Sequence, residues 1–242
     1  MSAESANLPL LPRLYCPQLS DLRHQACLLD AEQTRHARRV LRLSVGATVE
    51  LIDGNGAVAQ ALIESYEGDR TRCQVVWQTD TARPLPTITI ASAVPKGPRA
   101  EEMVDQLSQL GADCLIPLRT ERSVVHPRPA RIDRFRRRAR EAVKQSRHPY
   151  IMTVQTPCEL TEVLAEPADL RLVLHLGAVP SVVVPSGASS ILAVVGPEGG
   201  WTDGERAACG SAGFIPWTIS PHVLRVETAA AVAVALLRYQ SI

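Results

Sequence analysis

Two segments near the C-terminus carry residue types and spacings suited to chemistry. The first is Val194-Val195-Gly196-Pro197-Glu198-Gly199-Gly200-Trp201-Thr202-Asp203-Gly204-Glu205. An apolar strand runs straight into a glycine-rich turn, and a helix follows. Glycines in such a turn let a ligand approach the main chain and hydrogen-bond to it. Open α/β sheets bind ligands at the carboxyl ends of their strands, which is where this turn falls. The segment is not a P-loop, because no Gly-Lys-Ser/Thr follows, and it lacks the dinucleotide G-x-G-x-x-G. A tight structural turn is the plainer alternative. The second segment, Ile219-Ser220-Pro221-His222-Val223-Leu224-Arg225-Val226-Glu227-Thr228, is also a loop between a strand and a helix. It gathers a Pro, a His, an Arg and an acid, although an acid in a first helical turn is expected anyway. Two such loops on neighbouring strand ends face one crevice, and the pair is more informative than either alone.

The elements that must hold these loops follow from the hydrophobic pattern. From Arg13 to about Gln78 the chain has short strands and turns. Thr48-Val49-Glu50-Leu51-Ile52 alternates, Asp53-Gly54-Asn55-Gly56 reads as a hairpin turn, and Val58 to Ile63 returns. Cys73 to Trp77 is a third strand, and Asp30 to Leu43 is helical. Regular short strands suggest a small β-barrel over residues 1–78, with 1–12 as a tail. Residues 79–86 read as a linker. Over 87–242 strands and helices alternate: strands Thr87–Val94, Cys114–Leu118, Arg171–Leu176, Ile191–Val195 and Phe214–Ile219, and helices Arg99–Leu110, Arg131–Ser146, Asp203–Ser211 and Glu227–Arg238. That order predicts an α/β domain with a mostly parallel sheet. Thr202 and Glu205 have capping-box spacing and mark one helix start.

The chain has 242 residues, which at about 100–200 residues per domain suits one large domain or two modest ones. Lys plus Arg is 26 and Asp plus Glu is 25, so nucleic-acid binding needs a local patch rather than a bulk field. Neither DNA nor a membrane is an expected partner. Six cysteines lie apart, none in a C-x-x-C pair or with zinc spacing, which predicts free thiols, a reducing compartment and no metal. Glu4 and the lack of a long apolar run near the start argue against a signal peptide. The longest apolar stretch, Ala229 to Leu237, is shorter than the roughly 20 residues a span needs. A soluble cytoplasmic protein is the expectation.

Gly196-Pro197-Glu198-Gly199-Gly200, followed by Leu224-Arg225-x-Glu227-Thr228-Ala229, resembles the SPOUT class of RNA methyltransferases. Within it the chain is similar to the bacterial 16S rRNA (uracil(1498)-N(3))-methyltransferase family. Arg38-x-Val40-Leu41-Arg42, Lys96-Gly97, Leu110-Gly111, Pro117-Leu118-x-x-Glu121-Arg122-Ser123 and Lys144-Gln145-Ser146 extend the likeness over nearly the whole chain. The resemblance implies a PUA-like N-terminal barrel that binds RNA, and a SPOUT catalytic domain with a trefoil knot. It also implies a homodimer acting on 16S rRNA within the small ribosomal subunit. S-adenosylmethionine (SAM) would be held by Leu174-His175-Leu176, by Gly196 to Gly200, and by Ile219 to Arg225, including Ser220, Val223 and Leu224. The chain departs from the family at Ser220, His222, Val226 and Arg147, where Gly, Arg, Thr and Gly are usual. Backbone contacts to SAM are expected to survive these changes; target positioning is where they bear.

That chemistry assigns roles. Methyl transfer is an in-line displacement in which positioning dominates. The uracil imide nitrogen must lose its proton, and the resulting charge spreads onto the carbonyl oxygens. An arginine aimed at those oxygens stabilises it. Arg225 is the first candidate and Arg122 the second; a phosphate clamp or a structural ion pair is the alternative for each. Glu198, Glu227, His175 and His222 are available as proton acceptors, and the sequence does not rank them. Glu198 and Glu227 have structural alternatives, as a turn acceptor and a helix cap. For RNA, Arg38 and Arg42 lie on or beside the first helix. On the helix 131–146, Arg136, Arg140, Lys144 and, just past it, Arg147 fall near one stripe, while Ile132, Phe135, Ala139, Ala142 and Val143 dock it. Lys96 and Arg99 stand at a strand-to-helix junction. A solvated basic face is the alternative for each group. Two other functions use the same residues: an RNA-binding assembly factor that lost catalysis, and a methyltransferase for another RNA position.

Overall fold

The computed structural model describes residues 10–22, 25–179 and 182–241. The chain divides into two units between Ala82 and Arg83. The first holds β1 (Arg13–Tyr15), α1 (Leu19–Leu22), β2 (Ala26–Leu29), α2 (Ala31–Arg35), β3 (Thr48–Ile52), β4 (Ala57–Glu67) and β5 (Arg70–Asp80). Its five strands form one sheet in the order β1-β3-β4-β5-β2, parallel at β1/β3 and antiparallel elsewhere. This five-stranded sheet stands where the small β-barrel is expected. Side chains alternate across it: Ala57, Ala59, Ala61 and Ile63 of β4 point into the core, while Gln60, Leu62 and Glu64 face out. The hairpin turn is held by Asp53, whose Oδ1 accepts from the Asn55 and Ala57 amides at 2.7 and 3.0 Å.

Here the structure differs from the sequence reading in two respects. The strands β4 and β5 run eleven residues each, past the apolar stretches that flagged them. The expected helix Asp30–Leu43 is a five-residue α-helix capped by Asp30, which widens into a π-turn over His36–Val40. Its exit passes through Arg42, at a left-handed φ of 53°. Such a π-turn is short by nature, because its wider ring has weaker packing.

The second unit contains β6 (Thr87–Ala93), α3 (Arg99–Gln109), β7 (Cys114–Arg119), α4 (Pro129–Ser146), β8 (Thr153–Val154), β9 (Cys158–Glu159), α5 (Leu160–Leu164), β10 (Leu170–Val179), β11 (Ser190–Val195), α6 (Asp203–Ser211), β12 (Ile215–Trp217) and α7 (Val226–Tyr239). The sheet order is β12-β10-β11-β6-β7-β8, with β9 beside β7, and every ladder is parallel. The strands are apolar on both faces, as a doubly covered parallel sheet requires. Ile191, Ala193 and Val195 of β11 pack with α3, α4 and α7, while Leu192 and Val194 pack toward α5 and α6. The expected strand Phe214–Ile219 shortens to β12 because Thr218 turns its hydroxyl onto the His175 carbonyl at 2.7 Å. From there the chain leaves the sheet edge and returns to α7, which packs against β6 and α3.

One buried network locks that return. Asp113 accepts from the Ile88 amide, from Arg83 Nη1 and from Arg238 Nη2, at 2.8, 2.9 and 2.6 Å. Arg238 also donates to the carbonyls of Gly111 and Pro86. Removing one partner of a buried ion pair typically costs about 3–5 kcal/mol, because the other charge is stranded. Asp113→Ala is therefore expected to lower unfolding free energy by about that amount in urea, with little change in slope.

All six cysteines are free thiols. Burial pushes the Cys114 and Cys209 thiols up to about 11, from an ordinary value near 9. Between those pH values the unfolded chain releases protons that the folded chain keeps. Stability is therefore full below pH 9 and falls as pH rises toward 11. A urea series across that window checks it, and Cys209→Ala should make the decline shallower.

Candidate functional site

A cavity of about 510 Å³ opens at the carboxyl ends of β10, β11 and β12. Three segments line it: 174–176 within β10, the loop 196–201, and 217–226 between β12 and α7. The volume lies in the range of small-molecule sites, about 300–1,000 Å³. Leu174, Ile219, Val223 and Leu224 supply apolar wall, and Glu198, His175, Ser220, His222 and Arg225 supply polar groups.

The floor is Trp201. Its Nε1 donates to the Leu174 carbonyl at 2.9 Å, which ties the glycine-rich loop to the end of β10. Gly196 lies against this ring: a Cβ there would come within 2.8 Å of Trp201 Cε2. Next, Thr202 caps α6, with its hydroxyl accepting from the Glu205 amide and Glu205 accepting from the Thr202 amide. Glu205 also accepts from the Glu121 amide at 3.0 Å, so the 120–123 turn is bound to the same loop. In the third loop Ser220 Oγ accepts from the His222 amide at 3.0 Å and so closes the turn.

The structure sorts the residues singled out from sequence. Leu174, His175, Leu176, Gly196, Pro197, Glu198, Gly200, Ile219, Ser220, Val223, Leu224 and Arg225 all line the cavity. Gly199 does not: it faces outward, where its Cβ position is 3.1 Å from Arg122 Cβ. Arg122 is not on the lining either, and its Nη1 donates to the Gly199 carbonyl at 2.9 Å. Arg225 is exposed, caps α7 with its extended backbone, and makes no side-chain hydrogen bond or ion pair among the described residues. Glu198 is half exposed on the lining, whereas Glu227 is buried behind it, with one carboxylate oxygen unpartnered among the described residues. Arg99 stands between the two acids, 3.9 Å from Glu198 and 3.8 Å from Glu227.

The cations of the basic stripe on α4 have partners within the protein. Lys144 is only 7% exposed and its ammonium sits 2.8 Å from Glu141. Arg136 is held by Asp133 and the Val154 carbonyl, and Arg140 and Arg147 have partners of their own. Arg147 is the left-handed cap of the helix, at φ 63°. Arg136 and Lys144 pair with acids one turn back on α4 itself, while the acids of α3, against which α4 lies, take Arg134 and Arg138. In the first unit Arg38 lies over the Tyr66 ring at 4.9 Å, and Arg42 is exposed.

Sequence reasoning missed Trp201, Trp217, Thr218 and Arg206, which also line the cavity. Trp201 had a visible signal. A large aromatic directly before a helix cap commonly buries.

The chain matches the RNA methyltransferase domain model over residues 82–238 and the RNA methyltransferase PUA domain model over 29–75. It is 34% identical to a ribosomal RNA small subunit methyltransferase E of Mycobacterium bovis, over 85% of this chain and 83% of that one. It is 32% identical to the protein of the same name from Synechocystis, over 86% and 71%. The solved structure of ribosomal RNA small subunit methyltransferase E from Neisseria gonorrhoeae, bound to S-adenosyl methionine, superposes with a TM-score of 0.87 at 26% identity, covering 95% and 97% of the two chains.

Proposed function

Because the chain belongs to the ribosomal RNA small subunit methyltransferase E family, we propose that it methylates N3 of a uridine in 16S rRNA, at the position equivalent to U1498, with SAM as donor. The observation that carries this reading is the cavity with Arg225 and Glu198 on one lining. The cavity fits SAM: its size is adequate, its walls are largely apolar, and His175, Glu198 and Arg225 put polar groups on the lining. The backbone of 196–200 and of 219–225 would hold the ligand, with Leu174 to Leu176 closing one side. When bound, SAM supplies the methyl group and leaves as the neutral thioether.

The chain's own residues then divide the work. Glu198 accepts the imide proton, since it is the acid on the lining. Arg225, unpaired among the described residues, faces the charge that spreads onto the uracil oxygens. Arg122 and Glu227 act one step back: Arg122 holds the Gly199 carbonyl, and Glu227 faces Arg99. Residues 1–78 form the RNA-binding domain with Arg38 and Arg42, residues 79–86 link it, and residues 87–242 form the knotted catalytic domain. The trefoil knot belongs to this family reading, and the return of the chain from β12 to α7 is consistent with it. The enzyme works as a homodimer in the cytoplasm. Leu176 and Val223, 51% and 84% exposed at the cavity, are apolar side chains that a second copy would cover.

The test is methylation of small ribosomal subunits lacking the mark, with SAM and purified protein. A methyl on N3 blocks base pairing, so reverse transcription should gain one SAM-dependent stop at a single uridine. A stop elsewhere points to another RNA position. SAM binding and particle binding without a stop leave the assembly factor.

A further inference from the structure

The α4 stripe cations are paired within the protein, whereas two other exposed cations of the same unit are unpaired among the described residues. We infer that the phosphates beside the target nucleotide are held by Lys96 and Arg128, which Arg131 gathers into one cationic rim running to the cavity. This rests on the rRNA methyltransferase reading.

Lys96 lies in the loop between β6 and α3 and is exposed. Arg128 precedes Pro129 at the start of α4, is exposed, and makes no side-chain cap bond. Neither has a side-chain hydrogen bond or ion pair among the described residues. The two segments are joined by Arg131, whose Nη2 donates to the Gly97 carbonyl at 3.0 Å. Gly97 takes a left-handed φ of 66°, a bend that glycine accommodates and that turns the chain at Lys96 toward α3. Arg131 itself is braced over the Phe135 ring at 5.6 Å. The rim continues through Arg99, whose contacts of 3.8 and 3.9 Å to Glu227 and Glu198 are long for ion pairs. Glu198 is already on the cavity lining. Cations with no intramolecular partner give up nothing when they meet a phosphate, whereas Lys144 must first leave Glu141.

Counterion release gives the readout. Removing a side chain that neutralises one phosphate lowers the slope of log K against log salt by about 0.7–0.9. Binding of wild type and of Lys96→Ala, Arg128→Ala and their double variant to unmethylated small subunits is measured between about 50 and 200 mM salt. Arg137→Ala is the control, an exposed cation on α4 that also lacks a side-chain partner among the described residues. SAM calorimetry verifies that each variant is folded. Each single variant should show a slope smaller by about one such step, and the double variant by about two, with affinity down about tenfold per phosphate released. Arg137→Ala should match wild type. A double variant with the wild-type slope overturns the inference, as does an equal fall in Arg137→Ala or a wild type that does not bind the particle. A wild type that binds with the predicted slopes but transfers no methyl sinks the methyltransferase reading and leaves the phosphate rim standing.

Discussion

Arg225→Ala is expected to slow methyl transfer by about 10²–10³ while SAM affinity stays nearly unchanged. The magnitude is that of removing one preorganised donor from a developing anion. The loss falls on chemistry rather than folding, because the Arg225 guanidinium makes no hydrogen bond or ion pair among the described residues and its backbone alone caps α7. Alanine takes the same extended conformation without strain. Arg225→Lys should recover only part of the rate, since an ammonium cannot fork across two carbonyl oxygens as a guanidinium can. Single-turnover transfer to unmethylated small subunits at saturating SAM separates the outcomes. An unchanged rate with a raised particle KM would make Arg225 a phosphate clamp. Glu198→Gln, in the same assay, should lose rate in proportion as pH falls short of the imide's own ionisation, whereas Glu227→Gln, off the lining, should not share that profile.

How much of this is legible in the sequence depends on the range of the interactions. Period-2 and period-3.6 patterns are local, so β3, β7, β11, α3, α6 and α7 lie within a residue or two of where sequence places them. The cap of α6 is likewise a short-range signal, and its reciprocal bonds are present. The π-turn after α2 is not legible, since nothing in His36–Val40 separates it from an α-helix by periodicity. The short β8 and β9 lack a pattern long enough to show. Composition marks Arg136, Arg140 and Lys144 as charged. Asp133 and Glu141, three residues before Arg136 and Lys144 on the same helix, are a local signal of pairing, whereas the Val154 carbonyl that also holds Arg136 comes from another element. Lys96 and Arg128 carry less charge density in sequence, yet both are free of side-chain partners among the described residues. In the cavity, family motifs locate the loops, while the bond from Trp201 to the Leu174 carbonyl is a tertiary contact that no local pattern shows.

Gly196→Ala should weaken SAM binding by about 10- to 100-fold and abolish transfer at ordinary SAM concentrations. The residue does not need glycine for its backbone, as its φ is not among the left-handed ones. What it needs is space. An added Cβ would stand 2.8 Å from Cε2 and 3.1 Å from Cδ2 of Trp201. That ring cannot swing away cheaply: it is 6% exposed, and its Nε1 is bonded to the Leu174 carbonyl. The strain therefore moves the ring, the 196–200 backbone or the end of β10, and all three are walls of the cavity. Overpacking of this kind costs about 1–3 kcal/mol, which is the affinity range given. Gly199→Ala is the contrasting variant. Its Cβ meets the Arg122 side chain at 3.1 Å outside the cavity, so SAM affinity should hold. The double variant Gly196→Ala/Trp201→Leu removes the ring that clashes, and calorimetry should show part of the affinity restored even though the bond to Leu174 is gone. If Gly196→Ala binds SAM like wild type, the ring is not the floor of the ligand site. If the double variant recovers nothing, the Trp201–Leu174 bond matters more than the space above the ring.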